Sequence, residues 1–98
     1  MLANFLTEIK MRCGIPPQVM VYDAEIAGLL EDCEQDMLSS GVDQLVIEST
    51  QHMPQVITAA ALYVKANIGN DRSDTSIYME LYQKKVFRLT LEGEENVE

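Results

Sequence analysis

Apolar residues recur along most of the chain at the spacing of an amphipathic helix, i, i+3, i+4 and i+7. Three such stripes comprise Leu2, Phe5, Leu6, Ile9 and Cys13; Ile26, Leu29, Leu30, Cys33 and Met37; and Ile57, Ala60, Ala61, Val64 and Ile68. A fourth, with one step stretched, comprises Tyr78, Leu81, Tyr82, Val86 and Leu89. The pattern predicts an all-α, small four-helix domain, with helices near residues 2–13, 24–40, 54–68 and 75–90.

Residues that start or stop helices lie between these stripes. Gly14 and Gly41 follow the first and second stripes and are expected to cap those helices at their C-termini. Asp23 precedes the second stripe as an expected N-cap, and Pro54 suits the first position of the third helix. The punctuation therefore agrees with the four predicted helices.

The link between the third and fourth helices is short. Gly69 and Asn70 are expected to end the third helix, and Ser73 or Asp74 to cap the fourth. A link of this length predicts that the two helices form an antiparallel hairpin.

The segment between the second and third helices is longer and contains an apolar run, Leu45, Val46 and Ile47, without helical partners. We expect residues 41–53 to form a loop with apolar content, or a short strand. The run either contacts another protein or packs locally under the loop.

Charge excludes several classes of partner. Among 98 residues, 16 Asp and Glu stand against 7 Lys and Arg, which gives a net charge of −9. A nucleic-acid binder needs basic residues to neutralise phosphates, and a protein that binds anionic membranes also needs them. We therefore expect neither nucleic acid nor an anionic membrane as a binding partner. No apolar run approaches the length of a transmembrane helix or a signal peptide core, so we expect a soluble protein that stays where it is made.

The cysteine content points to a reducing compartment. Only Cys13 and Cys33 occur, fewer than a small secreted disulfide scaffold normally carries. With no CxxC pair and one histidine, a zinc site is not expected. We expect both cysteines to be small buried apolar residues.

The charges are also unevenly distributed. No Lys or Arg occurs between Arg12 and Lys65, a stretch that holds eight acidic residues, whereas Lys84, Lys85 and Arg88 cluster near the end. This layout favours head-to-tail self-association, although an acidic face that only keeps the protein soluble has the same appearance.

The end of the chain is acidic. Four glutamates and one apolar residue, Val97, occur in residues 92–98. Such a composition offers little to offset the entropy lost on ordering, so we expect a helical domain over 1–91 followed by a mobile tail.

Catalytic chemistry has few candidates. The ingredients of a hydrolase are present as Ser39, Ser40, Ser49, Asp43 and His52, but no nucleophile-elbow motif surrounds them. The sequence therefore predicts that the protein is not an enzyme.

The acidic residues of the second helix are a weak candidate for a metal or catalytic site. Glu25, Asp32 and Asp36 share one flank of that helix, and none has an obvious partner to shift its pKa. A solvated acidic flank is the simpler interpretation.

The order of several short segments is more specific than any single motif. They are Arg12-Cys13-Gly14-Ile15, an acidic helix from Asp23, Tyr63-Val64-Lys65-Ala66-Asn67 followed by Gly69 and Asp71, and Lys84-Lys85-Val86-Phe87-Arg88-Leu89. In this order the chain resembles the small head–tail connector proteins, also called head-completion or adaptor proteins, of tailed bacteriophages that infect Gram-positive hosts. The resemblance extends from the first helix to about Leu91.

The resemblance implies a non-enzymatic virion protein, assembled in the host cytoplasm, that needs no cofactor. Its subunits are expected to form a homo-oligomeric ring that docks beneath the portal protein after DNA packaging. The ring would extend the DNA channel and bind the next connector or tail-completion protein. The genome would pass through the channel without specific binding, and no membrane is involved.

Two sets of residues are candidates for these roles. An acidic channel wall would let DNA slide instead of trapping its phosphates, and its candidates are Glu25, Asp32 and Asp36. Candidates for subunit or portal contacts are Met20, Val21, Leu45, Val46, Ile47, Lys84, Lys85 and Arg88.

Two rival functions remain open on the sequence alone. A small acidic inhibitor that imitates DNA and binds a basic enzyme would use the same net charge as a monomer or dimer. A minor hydrolase or metal enzyme around His52 is the second rival.

Overall fold

A computed structural model describes residues 2–68 and 75–97, and side chains as far as Glu92. A short 3-10 helix, Leu2–Phe5, leads into α1 (Leu6–Arg12), which is followed by α2 (Asp23–Ser39), α3 (Gln44–Glu48), α4 (Met53–Asn67) and α5 (Thr75–Val97). Within the described residues every regular element is helical, which confirms the all-α prediction. None of the helices described here is both long and apolar enough to cross a bilayer.

Helix α4 forms the centre of the domain. It packs against the 3-10 helix and against each of the other α-helices. The consecutive small residues Ala59, Ala60 and Ala61 point to different sides of α4, and all three are buried. Small side chains let neighbouring helices approach closely, so α4 can be surrounded on most sides.

Helices α4 and α5 form the predicted antiparallel hairpin. At one end the Thr75 hydroxyl donates a hydrogen bond to the Ala66 carbonyl oxygen at 3.0 Å. At the other end the ring of His52 lies 3.2 Å from the Glu92 carboxylate. Since later residues of α5 meet earlier residues of α4, the two helices run in opposite directions. The predicted caps and stops at Gly69, Asn70, Ser73 and Asp74 lie outside the described residues.

The two glycine stops are confirmed. Gly14 and Gly41 have φ values of 77° and 102°, in the left-handed region that glycine adopts most readily. After α1, the Ile15 amide donates to the Lys10 carbonyl oxygen at 2.8 Å, and Gly14 donates to the Met11 carbonyl oxygen at 3.1 Å. These paired bonds form a Schellman motif, which satisfies carbonyl groups at the helix end.

The segment 41–53 differs from its prediction, because it contains the short helix α3 and is not a continuous loop or strand. Asp43 caps this helix by accepting a hydrogen bond from the Leu45 amide at 2.8 Å. Five residues are too few to show helical periodicity. The apolar run that resembled a strand therefore places Val46 and Ile47 in the core and Leu45 in solvent.

The last helix is longer than predicted. The apolar stripe ends at Leu89, but α5 continues to Val97, because glutamates are good helix formers and need no apolar stripe to extend a helix. Glu92, the first residue of the predicted tail, contacts His52. Mobility of residues 92–98 stays a prediction.

Candidate interaction surfaces

The loop between α1 and α2 exposes two apolar side chains. Met20 and Val21 are 72% and 78% exposed, in agreement with their role as candidate contacts. They belong to a tight turn, since the Asp23 amide donates to the Met20 carbonyl oxygen at 3.1 Å. We call these two residues the Met20–Val21 tip.

A buried lysine anchors this loop. Lys10 is only 2% exposed, and its ammonium group donates hydrogen bonds to the carbonyl oxygens of Pro17 and Val19, at 3.1 and 2.6 Å. The same nitrogen lies 2.7 Å from an Asp23 carboxylate oxygen. Lys10 therefore ties the loop to both helices that it connects.

This ion pair corrects the predicted role of Asp23. Asp23 is the first residue of α2, and Tyr22 occupies the N-cap position without a side-chain hydrogen bond. Because the Asp23 carboxylate faces Lys10, it does not cap the helix.

The outer face of α5 carries a second apolar surface. Phe87 is 64% exposed and Leu91 is also exposed, beside Lys84 and Arg88. Together with Glu80 and Gln83 they line a shallow groove of about 550 Å³. We call it the Phe87 groove. Its apolar floor and basic edges are those of a surface that binds an apolar segment with acidic neighbours.

The three candidate basic residues of α5 do not share one environment. Lys84 is 69% exposed and lies 3.6 Å from Glu80 within the same helix. Arg88 is exposed, whereas Lys85 is half-buried. Lys85 and Arg88 border a smaller cavity near Gln55. Lys84 and Arg88 therefore remain accessible to a partner.

The three candidate acids of α2 are exposed, as their proposed role requires. Asp36 also accepts a 2.7 Å hydrogen bond from the buried Tyr82 hydroxyl. The Cys33 thiol in turn lies 3.7 Å from the Tyr82 oxygen. This chain of polar contacts fixes the acidic flank of α2 relative to α5. Glu25 and Asp32 lie on the same exposed flank.

This buried network should make the protein sensitive to alkali. Burial raises the pKa of the Cys33 thiol from 9.0 to about 12 and raises the pKa of the Tyr82 phenol well above its usual value. Both groups hold their protons more tightly in the folded chain than in the unfolded chain. We therefore expect the contribution of these two groups to stability to be fully present below about pH 9 and to be lost progressively as the pH rises above it.

The measurement is the urea midpoint as a function of pH, with Cys33→Ala as a variant that removes one of the two groups. That variant should lose less stability between about pH 9 and 12 than the wild type does. A wild-type midpoint that stays constant over this range would contradict the prediction.

Two of the eight candidate contact residues are not available on the surface. Val46 and Ile47 are buried in the core, so for them the alternative interpretation, local packing, is correct. Leu45, which precedes them in α3, is exposed and remains a candidate contact.

Of the hydrolase ingredients, Ser49 and His52 lie in contact, whereas Asp43 is engaged elsewhere. His52 is buried, and its ring nitrogens lie 3.3 Å from the Ser49 hydroxyl and 3.2 Å from the Glu92 carboxylate. The Ser49 oxygen also accepts a hydrogen bond from the Gln51 amide at 3.2 Å. Asp43 is occupied as the cap of α3. The contact between His52 and Glu92 joins the start of α4 to α5.

The cysteines are both free thiols, Cys33 buried and Cys13 half-buried. Burial also raises the pKa of Cys13. The described side chains contain no cluster of three or more His, Cys, Asp or Glu that would hold a metal ion.

Sequence reasoning missed two features of these surfaces. Lys10 lies next to Ile9 of the first stripe, and nothing in the pattern distinguishes it from a solvated lysine. Phe87 and Leu91 fall outside the stripe of the last helix, and that position is the signal that marks them as exposed.

Comparison with known proteins gives one family. A family model described as "Phage connector protein" matches residues 5–96, almost the whole chain. No curated protein and no protein of solved structure shows significant similarity to the chain.

Proposed function

Because the chain belongs to the phage connector protein family, we propose that it is a head–tail connector subunit that forms a ring beneath the portal, extends the DNA channel and joins head to tail. Family membership makes it a structural component of the phage head–tail region. The proposal also includes the ring itself and two partners, the portal and the next connector or tail-completion protein. It further includes assembly in the cytoplasm of a Gram-positive host.

The separation of charge between α2 and α5 supports a ring most directly. Helix α2 carries four exposed acids, Glu25, Glu31, Asp32 and Asp36, and no basic residue, whereas Lys84 and Arg88 are exposed on α5. A contact between two different surfaces of identical subunits repeats from copy to copy, and it closes into a ring when the rotation per subunit permits. Exposed ion pairs contribute only about 0–1 kcal/mol each, so they would set the register while apolar contacts supply most of the affinity.

The acidic flank of α2 also fits a channel for DNA. Glu25, Asp32 and Asp36 are spaced by seven and four residues, which places them along one side of the helix. Carboxylates repel phosphates and release no counterions on contact with DNA. A wall of this kind would guide the genome without holding it.

Reversal of the basic charges on α5 tests the proposal. Lys84→Glu combined with Lys85→Glu should impair ring formation or docking to the portal, because the substituted side chains would repel the acids of the neighbour. The subunit itself should remain folded. Higher salt should weaken assembly of the wild type moderately, since apolar contacts persist. Sedimentation and electron microscopy, with and without the cognate portal, measure both effects.

The chain offers a matched control. Lys84 pairs with Glu80, and Arg12 pairs with Glu8, in each case four residues apart on an exposed helix face. Arg12→Glu is therefore the control for the single variant Lys84→Glu: it changes the net charge equally, but on α1, so it should leave assembly intact where Lys84→Glu weakens it. Rings formed equally well by wild type and double variant would remove the charge argument. The absence of rings with the correct portal would count against a connector.

A further inference from the structure

The Met20–Val21 tip is presented by a loop that is already ordered. The loop carbonyl oxygens of Pro17 and Val19 are held by the buried Lys10 ammonium group. An ordered loop loses less conformational entropy on binding than a mobile one, so its exposed apolar side chains contribute more of their burial energy to affinity. The tip therefore has the properties of a segment that inserts into a groove on a partner.

The Phe87 groove complements the tip in both apolarity and charge. Phe87 and Leu91 provide apolar surface, and Lys84 and Arg88 provide positive charge, partly offset by Glu80 within the groove. After Tyr22 the chain enters α2, whose exposed face carries acids from Glu25 in the first turn to Asp36 near its end. A segment that is apolar at its tip and acidic behind it matches an apolar groove with basic edges.

The tip and the groove lie at opposite ends of α2, so they do not meet within one subunit. Only Tyr22 separates the tip from Asp23, the first residue of α2, whereas Phe87 lines a cavity together with Ser40, at the other end of the helix. With a rise of about 1.5 Å per residue, α2 is about 24 Å long. Two complementary surfaces this far apart can join only different copies.

We infer that the Met20–Val21 tip of each subunit inserts into the Phe87 groove of the next copy and forms the apolar centre of the subunit contact. This inference rests on the proposed ring and specifies which surfaces build it. Because the two surfaces differ, the contact is heterologous and repeats from subunit to subunit.

Cysteine cross-linking tests the pairing directly. In a Cys13→Ser background, the full chain carrying both Val21→Cys and Leu91→Cys is treated with a short bis-maleimide across a concentration series, with and without portal. The matched control carries Leu45→Cys with Leu91→Cys, because Leu45 is equally exposed but lies outside the loop. A ladder of covalent oligomers from the first pair, and monomers from the control pair, is the expected result.

A second variant measures the contribution of the tip. Met20→Ser combined with Val21→Ser should weaken assembly more than about tenfold, because the loss of one buried aliphatic side chain alone corresponds to about tenfold. Both side chains are in solvent in the subunit, so its melting temperature should be unchanged.

The outcomes separate this inference from the proposed function. Rings without preferential cross-linking of the first pair would overturn the inference and leave the connector function standing. A ladder without rings would support the pairing and contradict the ring. Cross-linking of residue 21 to the portal instead of to a second copy would also overturn the inference.

Discussion

Replacement of Lys10 with methionine is expected to destabilise the domain by about 3 kcal/mol or more. The side chain is almost fully buried, and its ammonium group contacts two carbonyl oxygens and the Asp23 carboxylate. Methionine has a similar volume but no donor, so it would leave those three groups without their partner. Because a small domain has a total stability of only about 5–15 kcal/mol, such a loss is large.

Urea unfolding followed by circular dichroism measures this effect, with Lys84→Met as the matched control. Lys84 is largely exposed and its partner Glu80 lies in the same helix, so its replacement should change stability by no more than about 0.5 kcal/mol. If Lys10→Met unfolded at the wild-type midpoint, the buried contacts would contribute nothing to stability, contrary to the prediction.

The helices were predictable because each carries a long apolar stripe and a recognisable stop. Gly14 and Gly41 end helices where the left-handed conformation is required, so a local signal coincides with the fold. The helix α3 was not predictable in this way. With five residues it has no period to detect, and only tertiary packing decides that Val46 and Ile47 face the core.

The candidate contact residues were also predictable only in part. Apolar residues outside the stripes are candidates either for contacts with a partner or for local packing, and Met20, Val21 and Leu45 are exposed. The same logic, applied to the last helix, also finds Phe87. It cannot find Lys10, since burial of that ammonium group depends on the path of a loop whose sequence has no period.

Loss of the contact between Tyr82 and Asp36 is the second change that we expect to lower the stability of the domain strongly. Tyr82 is buried, its ring packs edge-to-face on Tyr63 with centroids 5.1 Å apart, and its hydroxyl donates to the Asp36 carboxylate. Tyr82→Ala removes both interactions and leaves a cavity, with an expected cost of about 3–5 kcal/mol. Tyr82→Phe removes only the hydroxyl, and its expected cost is about 1.5–3 kcal/mol because the acceptor is a carboxylate.

A double-mutant cycle with Asp36→Asn isolates the bond, and Tyr78→Phe is the control that removes the hydroxyl of a half-buried tyrosine in the same helix. Tyr78→Phe should change stability by no more than about 0.5 kcal/mol. If Tyr82→Phe were equally mild, the contact with Asp36 would be incidental to the packing of α2 on α5.

If Tyr82→Phe has the expected cost, the hydrogen bond fixes the acidic flank of α2 relative to the Phe87 groove on α5. The relative position of these two surfaces determines the geometry of the proposed ring. Tyr82→Phe subunits that remain folded should therefore form rings less uniform in size than those of the wild type, as measured by electron microscopy.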